Sequence, residues 1–381
     1  MGEQAFFQGE RIYIDLIDSL KKSDVHKLFI VCGRNVQKLE TFESFSALCQ
    51  LENISIFTFS EFEPNPKYES VKKGVEYFKK YECDAIMAIG GGSAIDVGKC
   101  IKMFSAMTDN EEFIGQKIVS NQIPLIAVPT TAGTGAESTQ FAVIYYQGNK
   151  YSISDSCGLP DMVVLDSAVL KHLPIYQRKS TSLDVLAHGV ESYWSINSTP
   201  ESRELSKKAV RGFFDNYKGY INNDEMSNEK MLQAANVAGQ AINITTTTAA
   251  HAMSYKLSSE FHIAHGHAVG LCLPVIFQYT LEHLEQCCDV RGKGFLEKVL
   301  GEIALEAGCP DVNNFAAKLE KLVVEDLQLD IPKLTGEDIL PQLCKTVNTE
   351  RLKNNPIELS ETDINTLYGQ ILNQNRKNRR E

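Results

Sequence analysis

A short apolar run, Ala85-Ile86-Met87-Ala88-Ile89, passes directly into Gly90-Gly91-Gly92-Ser93 and on through Ala94-Ile95-Asp96-Val97-Gly98-Lys99. A buried strand that ends in glycines at the start of a helix restricts the chain to an open α/β sheet. Residues without Cβ atoms let backbone N–H groups come close to a polyanion, and the helix N-terminus adds its dipole. The spacing is neither GxGxxG nor a Walker A loop. One or two glycines would serve a structural turn; three with a serine at the helix start point to phosphate binding.

The surrounding stretches alternate in kind. Residues 9–23 read as a helix, 28–33 as a buried strand and 54–59 as a second strand. Glu63-Pro64-Asn65-Pro66 is a turn, and 68–80 is an amphipathic helix. The next strand, 123–129, runs into Thr130-Thr131-Ala132-Gly133-Thr134-Gly135-Ala136-Glu137. Two glycine- and hydroxyl-rich loops at strand carboxyl ends suit one extended phosphate-bearing ligand. The βαβαβ order predicts a parallel sheet with helices on both faces.

From Ser182 onward the pattern is helical, at 201–216, 229–244, 246–261, 277–285, 294–307 and 312–322. Turns are expected at Gly336-Glu337-Asp338 and Asn354-Asn355-Pro356, with a solvated polar turn at Asn222-Asn223-Asp224-Glu225. The expected division is an α/β dinucleotide-binding domain over 1–178 and an all-helical, metal- and substrate-binding domain over 179–381.

Within the helical half, Asp184 and His188 are four apart and share one helix face. His251 and His265 are fourteen apart; one straight helix would hold them about 21 Å apart, too far for one ion. The chain must turn between them, and Ala264-His265-Gly266-His267 is where the turn is expected. One carboxylate and three imidazoles suit Fe²⁺ or Zn²⁺. A lone imidazole is more often a satisfied core or surface group, and His26, His172 and His283 are read so. His262, between two proposed ligands, is the alternative to His265.

Composition excludes several classes. No apolar run approaches the length of about 18 residues needed to span a membrane, and the N-terminus has no secretory pattern. A net charge of −11 argues against nucleic-acid binding; the basic end, 375–380, reads as a solvated tail. Ten cysteines without CxxC spacing read as reduced thiols of a cytoplasmic protein.

Taken in order, Gly90-Gly91-Gly92-Ser93 with Asp96 and Lys99, Pro129-Thr130-Thr131 with Gly133-Thr134-Gly135-Ala136-Glu137, Asp184 with His188, and His251 with His265 resemble the iron-containing (group III) alcohol dehydrogenase family. That family shares its fold with dehydroquinate synthase and glycerol dehydrogenase. The resemblance implies an N-terminal α/β dinucleotide domain, a C-terminal all-helical domain, and a cofactor lying between them with a divalent metal beyond its nicotinamide. It places the metal on Asp184, His188, His251 and His265. It places the pyrophosphate on Gly91, Gly92 and Ser93, ordered by Asp96, the adenosine and ribose side on Thr130, Thr131 and Thr134, and Lys150 near the ribose. The implied reaction is reversible hydride transfer between NADPH or NADH and a small aldehyde or alcohol, in a homo-oligomer such as a dimer.

Two positions depart from the family pattern. Tyr255 stands where many members carry a proton-transferring histidine, and His267 follows the last ligand where a small apolar residue is usual. With Glu191-Ser192-Tyr193-Trp194-Ser195, Asn197-Ser198-Thr199-Pro200 and Thr247-Thr248-Ala249-Ala250, they resemble the phosphonoacetaldehyde reductase (2-hydroxyethylphosphonate dehydrogenase) subgroup. His267, Tyr255 through solvent, and the cofactor ribose hydroxyl are the candidate catalytic proton donors, with His267 preferred because an imidazole titrates in the right range. A phosphonate needs cations, for which His267, Lys256 and Arg178 are the candidates. Gly33 stands where members preferring NADH often carry Asp, and Arg34 follows it; a small residue beside a guanidinium accepts the 2′-phosphate of NADPH. The alternatives are a short-chain alcohol or glycerol dehydrogenase, a dehydroquinate synthase-like lyase, and a non-catalytic nucleotide or metal sensor.

Overall fold

A computed structural model describes residues 4–108, 112–333 and 339–373. The turn expected at 336–338 and the basic stretch 375–380 lie outside them. The chain divides into two compact units, Met1–Leu173 and Pro174–Glu381. The division falls five residues before the expected 178/179 boundary, because residue 178 is already inside a helix that begins at Ile175.

The first unit contains β1 (Ala5–Phe7), α1 (Ile12–Lys22), β2 (Lys27–Cys32), α2 (Glu40–Leu51), β3 (Ser55–Phe59), α3 (Tyr68–Lys80), β4 (Ala85–Gly90), α4 (Gly92–Ser105), β5 (Leu125–Pro129), β6 (Phe141–Tyr146), β7 (Asn149–Ser154) and β8 (Met162–Val164). Six strands form a parallel sheet in the order β1-β8-β5-β4-β2-β3, and β6 and β7 form a separate antiparallel hairpin. Alternate residues of β2 serve two cores. Phe29 and Val31 pack with α3 and α4, while Leu28, Ile30 and Cys32 pack with α1 and α2. This double burial is why these strands read as continuous apolar runs. The strands β1 and β8, three residues each, and the β6–β7 hairpin were not among the strands expected from the sequence, although β6 is an apolar run, Phe141-Ala142-Val143-Ile144-Tyr145-Tyr146.

The strand order reverses between β2 and β4. The chain goes from β2 outward to β3, then crosses back to the other side of β2 to form β4. Helices on opposite faces leave a crevice at the carboxyl ends of the strands at such a switch point, and ligands bind there in open α/β sheets.

The second unit is helical: α5 (Ile175–Trp194), α6 (Pro200–Ile221), α7 (Glu225–Thr245), α8 (Ala249–Phe261), α9 (His265–Glu282), α10 (Lys293–Glu306), α11 (Val312–Lys321), α12 (Ile339–Lys345), α13 (Thr349–Leu352) and α14 (Glu361–Asn373). Every residue of α5 from Ser182 to Trp194 is buried, so this helix is the axis of the unit's core. No helix among the described residues is long and apolar enough to cross a membrane.

Two helix boundaries differ from the sequence reading for physical reasons. The helix expected at 246–261 begins at Ala249, because Thr246 takes a positive φ of 58° after α7. The helix expected at 277–285 begins at His265, despite Gly266, Gly270 and Pro274. The turn before it lies at 262–264, where His262 takes the left-handed conformation as the α8 C-cap. Gly266 is inside α9 because α9 crosses α5 closely there. A Cβ at Gly266 would sit 2.1 Å from the Ser180 carbonyl oxygen and 3.2 Å from Asp184 Cβ. Backbone cannot yield as a flexible side chain does, so Gly266→Ala is expected to cost about 1–3 kcal/mol, as overpacking does. Urea unfolding measures this; a midpoint equal to that of wild type would show that the α5–α9 crossing is not tight.

Candidate metal and nucleotide sites

The α5 spacing puts Asp184, His188 and Glu191 on one buried face of the helix. The α8–α9 turn brings His251, near the start of α8, together with His265, the first residue of α9. Three imidazoles then point one ring nitrogen at the same oxygen. The Nε2 atoms of His251, His188 and His265 lie 3.2, 3.8 and 3.9 Å from Asp184 Oδ1. Ligands about 2.1 Å from one ion in a tetrahedral array lie about 3.4 Å from each other, so these distances to Asp184 are of the size a single divalent ion needs, although His265 is not in the group whose donor atoms all lie close together. Donor atoms of Asp184, His188 and His251 all fall within 4.8 Å of one another. The His188 and His251 rings stack 4.5 Å apart, and His251 meets His265 edge-on at 5.4 Å. The Asp184, His188 and His251 side chains are 3–6% exposed, while His265 is 39% exposed. The cluster is sealed on the α5 side and reachable on the His265 side.

A fifth residue, unassigned in the sequence reading, fixes the geometry. Glu191 is fully buried and faces the N-terminus of α8. Its Oε1 accepts from the Thr248 hydroxyl at 2.7 Å and from the backbone N–H groups of Ala250 at 2.8 Å, Thr248 at 3.2 Å and His251 at 3.3 Å. Its Oε2 takes the hydrogen bond of His251 Nδ1. Trp194 Nε1 donates to Thr248 Oγ1 at 2.9 Å, which directs the Thr248 proton toward Glu191. A carboxylate from a distant helix thus caps α8, where the backbone dipole favours negative charge. Because Glu191 accepts the Nδ1 hydrogen bond, Nε2 is the His251 nitrogen that faces Asp184 and is available to a metal. Glu191 stands at i+3 from His188 and i+7 from Asp184, a spacing that could have revealed it.

Electrostatics follow from this packing. Burial opposes charge on Asp184 and Glu191, but the imidazoles around Asp184, and His251 with the Thr248 donors around Glu191, outweigh it and hold both carboxyls below the usual range. Burial also opposes charge on His251, yet Glu191 and Asp184 raise it from the ordinary 6.5 to about 9.

The structure does not bring His267 to this cluster. Two residues along a helix are about 200° apart around its axis, so with His265 facing Asp184, His267 faces elsewhere. Its Nε2 reaches the Asp330 carbonyl at 3.0 Å, and its Nδ1 the Tyr176 hydroxyl at 3.2 Å, which also accepts from Ala264 N at 2.9 Å. This chain of bonds makes Nε2 the donor and Nδ1 the acceptor. Burial lowers the imidazole's pKa, so it is a neutral fastener of the start of α9 and not a proton donor. Nor are the other proposed phosphonate cations at the cluster. Buried Arg178 donates to the Tyr220 carbonyl, Asn228 and Asn223, which makes the 222–225 turn its partner and more than a solvated loop. Lys256 pairs with Glu260 at 3.0 Å. Tyr255 is at the cluster: its ring lies parallel to His265, 5.6 Å away at 8°. Burial raises its phenol pKa against the pull of Arg351. The alternative ligand His262 is an exposed helix cap.

In the first unit, the nucleotide candidates gather at the strand carboxyl ends. Gly90 pairs with Pro129 across β4 and β5, and Thr130 N donates to the Gly90 carbonyl at 2.9 Å. The loops 90–93 and 130–134 therefore leave the sheet side by side. A Cβ on Gly91 would meet Thr131 Oγ1 at 3.4 Å, and one on Gly92 would meet Thr134 Cγ2 at 3.2 Å. No side chain caps the start of α4 next to Ser93, so its N–H groups and dipole face the loop. Asp96 accepts a backbone hydrogen bond from Val143 and stands near Lys99 and Lys150; burial raises it to about 6. Lys99 is fully buried and donates to Thr139 Oγ1 at 2.9 Å and the Phe141 carbonyl at 2.8 Å. Lys150 is exposed on β7. Gly33 and Arg34 follow β2, across the switch point from Gly90; the space around Gly33 is open and Arg34 is exposed.

Known proteins share this architecture. The family model "iron-containing alcohol dehydrogenase" matches residues 4–167, and the model of the C-terminal part of the Fe-containing alcohol dehydrogenase family matches residues 179–372. The chain belongs to the iron-containing alcohol dehydrogenase family, a family of oxidoreductases. It is 32% identical to aldehyde-alcohol dehydrogenase 2 of Entamoeba histolytica over 68% of this chain and 32% of that protein, about a third of that relative's length. It is 25% identical to long-chain-alcohol dehydrogenase 1 of Geobacillus thermodenitrificans over 93% of this chain and 91% of that protein. It also superimposes on sulfoacetaldehyde reductase from Bifidobacterium kashiwanohense, solved in complex with NAD+, with a TM-score of 0.83 and 25% identity over 97% of each chain.

Two measurements check the role of Glu191. Glu191→Gln is expected to weaken divalent metal binding about 10–100-fold, the usual effect of losing such a partner; zinc competition titration that matches wild type would remove Glu191 from the site. The second is pH dependence. A pKa raised in the fold stabilises the metal-free protein fully below 6.5, and that contribution is lost as pH climbs through about 9. Metal displaces the same proton, so metal affinity should rise over this interval. A flat melting temperature for metal-free protein between those values would contradict the His251–Glu191 coupling.

Proposed function

We propose that the chain is a metal-dependent NAD(P)H oxidoreductase that reduces a small aldehyde bearing a tetrahedral oxyanion, phosphonoacetaldehyde to 2-hydroxyethylphosphonate. The observation that carries the reaction class is the convergence of three imidazole nitrogens on Asp184 Oδ1. The similarity to a sulfoacetaldehyde reductase over nearly the whole chain supports an anionic two-carbon aldehyde. Similarity to a long-chain-alcohol dehydrogenase over a comparable length supports the second reading, an uncharged aldehyde or alcohol.

Asp184, His188, His251 and His265 hold Fe²⁺ or Zn²⁺. The ion supplies Lewis acidity toward a carbonyl oxygen, and a reduced nicotinamide supplies the hydride. Asp184 contributes the only formal negative charge among the four ligands. Glu191 keeps the His251 lone pair turned inward. Burial of the three α5- and α8-borne ligands excludes water from their side, so substrate enters past His265 and Tyr255. Gly91, Gly92 and Ser93 cradle the pyrophosphate, Asp96 orders that loop, and Thr130, Thr131, Thr134 and Lys150 take the adenosine and ribose side. Gly33 and Arg34 admit a 2′-phosphate, which favours NADPH.

Initial rates of NADPH and NADH oxidation with phosphonoacetaldehyde, sulfoacetaldehyde and butyraldehyde test the reading. The phosphonate is expected to exceed butyraldehyde in kcat/KM by about a hundredfold or more, about 2.7 kcal/mol of transition-state preference. Equal rates would leave the dehydrogenase and discard the oxyanion. Because nothing lies within 4 Å of a Cβ at Gly33, Gly33→Asp introduces charge without a clash and should shift preference from NADPH toward NADH. An unchanged cofactor ratio would show that the 2′-phosphate lies elsewhere.

A further inference from the structure

The oxyanion proposed above needs a cation within reach of the cluster, and the three cations expected from the sequence are engaged elsewhere. One arginine is placed for it. Arg351 lies on α13, a single turn whose start is capped by Asn348, the Asn348 side chain accepting from Arg351 N at 3.0 Å. The turn packs against α8, and the Arg351 guanidinium is close enough to the Tyr255 hydroxyl to pull against the rise of its pKa. The Tyr255 ring is the same one that lies parallel to His265, the exposed member of the metal cluster. The guanidinium therefore stands one aromatic ring away from the open side of the site.

The segment that carries it is anchored and not a loose loop. Just past α13, Asn354 Nδ2 donates to Thr246 Oγ1 at 2.6 Å and the Thr247 carbonyl at 3.1 Å. Asn197 Nδ2 donates to Asn354 Oδ1 at 2.8 Å, and Ile196 N to the Asn354 carbonyl at 3.1 Å. Cys288 N donates to the Pro356 carbonyl at 2.9 Å. Thr246 and Thr247 lead into Thr248, the residue that binds Glu191. One backbone segment thus ties the arginine to the same α8 N-terminus that fixes His251. This is the shell a recognition group needs, since a shift of about 1 Å in such a group costs binding geometry.

We propose that Arg351 is the specificity-determining residue that binds the substrate's phosphonate or sulfonate, and that Tyr255 is the positioning residue that holds its guanidinium beside His265. The assignment rests on the oxyanion-bearing substrate of the preceding section. A planar guanidinium binds two oxygens of a tetrahedral anion at once, which a lysine ammonium does as a point charge only. Tyr255 then acts through Arg351, which gives its departure from the family's histidine a physical purpose.

The test is steady-state kinetics on the metal-loaded full chain with phosphonoacetaldehyde, sulfoacetaldehyde and butyraldehyde, for wild type, Arg351→Met, Arg351→Lys and Tyr255→Phe. Arg351→Met is expected to lose at least about a hundredfold in kcat/KM on both anionic aldehydes, mostly through KM, and less than about threefold on butyraldehyde. Arg351→Lys should recover part of the loss, and Tyr255→Phe should raise KM for the anions by a smaller factor with kcat kept. Equal losses on all three aldehydes, or none, overturn the assignment while a wild-type preference for the anions leaves the substrate reading intact. A larger loss with the phosphonate than with the sulfonate marks the doubly charged anion as the substrate. A wild type indifferent to the anionic aldehydes overturns the substrate reading instead. In that case inhibition by methylphosphonate decides the arginine: weaker inhibition of Arg351→Met supports an oxyanion site there, and equal inhibition overturns it.

Discussion

The Glu191 carboxylate at the start of α8 is the contact on which the cluster of Asp184 and its three histidines depends. A buried negative charge is costly unless donors surround it, and here three backbone N–H groups, a hydroxyl and an imidazole do so. The same bonds terminate α8, select the tautomer of His251 and fasten α8 to α5. Local helix stability and site geometry are therefore one interaction. Removing it would leave a buried helix end without partners as well as a misoriented ligand.

The close approach of α9 to α5 is the complementary constraint. Gly266 admits the Ser180 carbonyl next to Asp184, and the neighbouring His265 completes the cluster from that contact. His267 and Tyr176 secure the same helix start through bonds to Asp330 and Ala264. A residue with an unusual chemistry in the sequence thus has a packing explanation. On the side where His265 remains exposed, the neighbouring side chain is Tyr255.

In the first unit the deciding feature is topological. The crossing from β3 over β2 to β4 opens a crevice, and the strand ends that line it carry Gly33-Arg34, Gly91-Gly92-Ser93 and, one strand further, Thr130-Thr131. Glycines there serve close approach: Gly91 and Gly92 lie against Thr131 and Thr134, so the two loops form one surface. Buried Lys99 ties α4 to the segment entering β6 and stands near Asp96 without facing solvent.

What the sequence determined by itself was whatever repeats at short range. Apolar runs marked β2, β3, β4 and β5, period 3.6 marked the helices, and the i,i+4 spacing placed Asp184 and His188 on one face. Those signals are local because strand and helix periodicity follow from backbone geometry alone. Short β1 and β8 and the start of α9 were not legible, since they are stabilised by neighbours distant in the chain; the β6–β7 hairpin pairs locally across Gln147-Gly148 and was overlooked. Only the tertiary structure decided which imidazoles meet Asp184, that His267 turns away from it, that Glu191 backs His251, and that Arg351, far downstream, comes near the Tyr255 hydroxyl. Side-chain contacts between elements depend on how helices cross and where turns fall, and no spacing within one element encodes that.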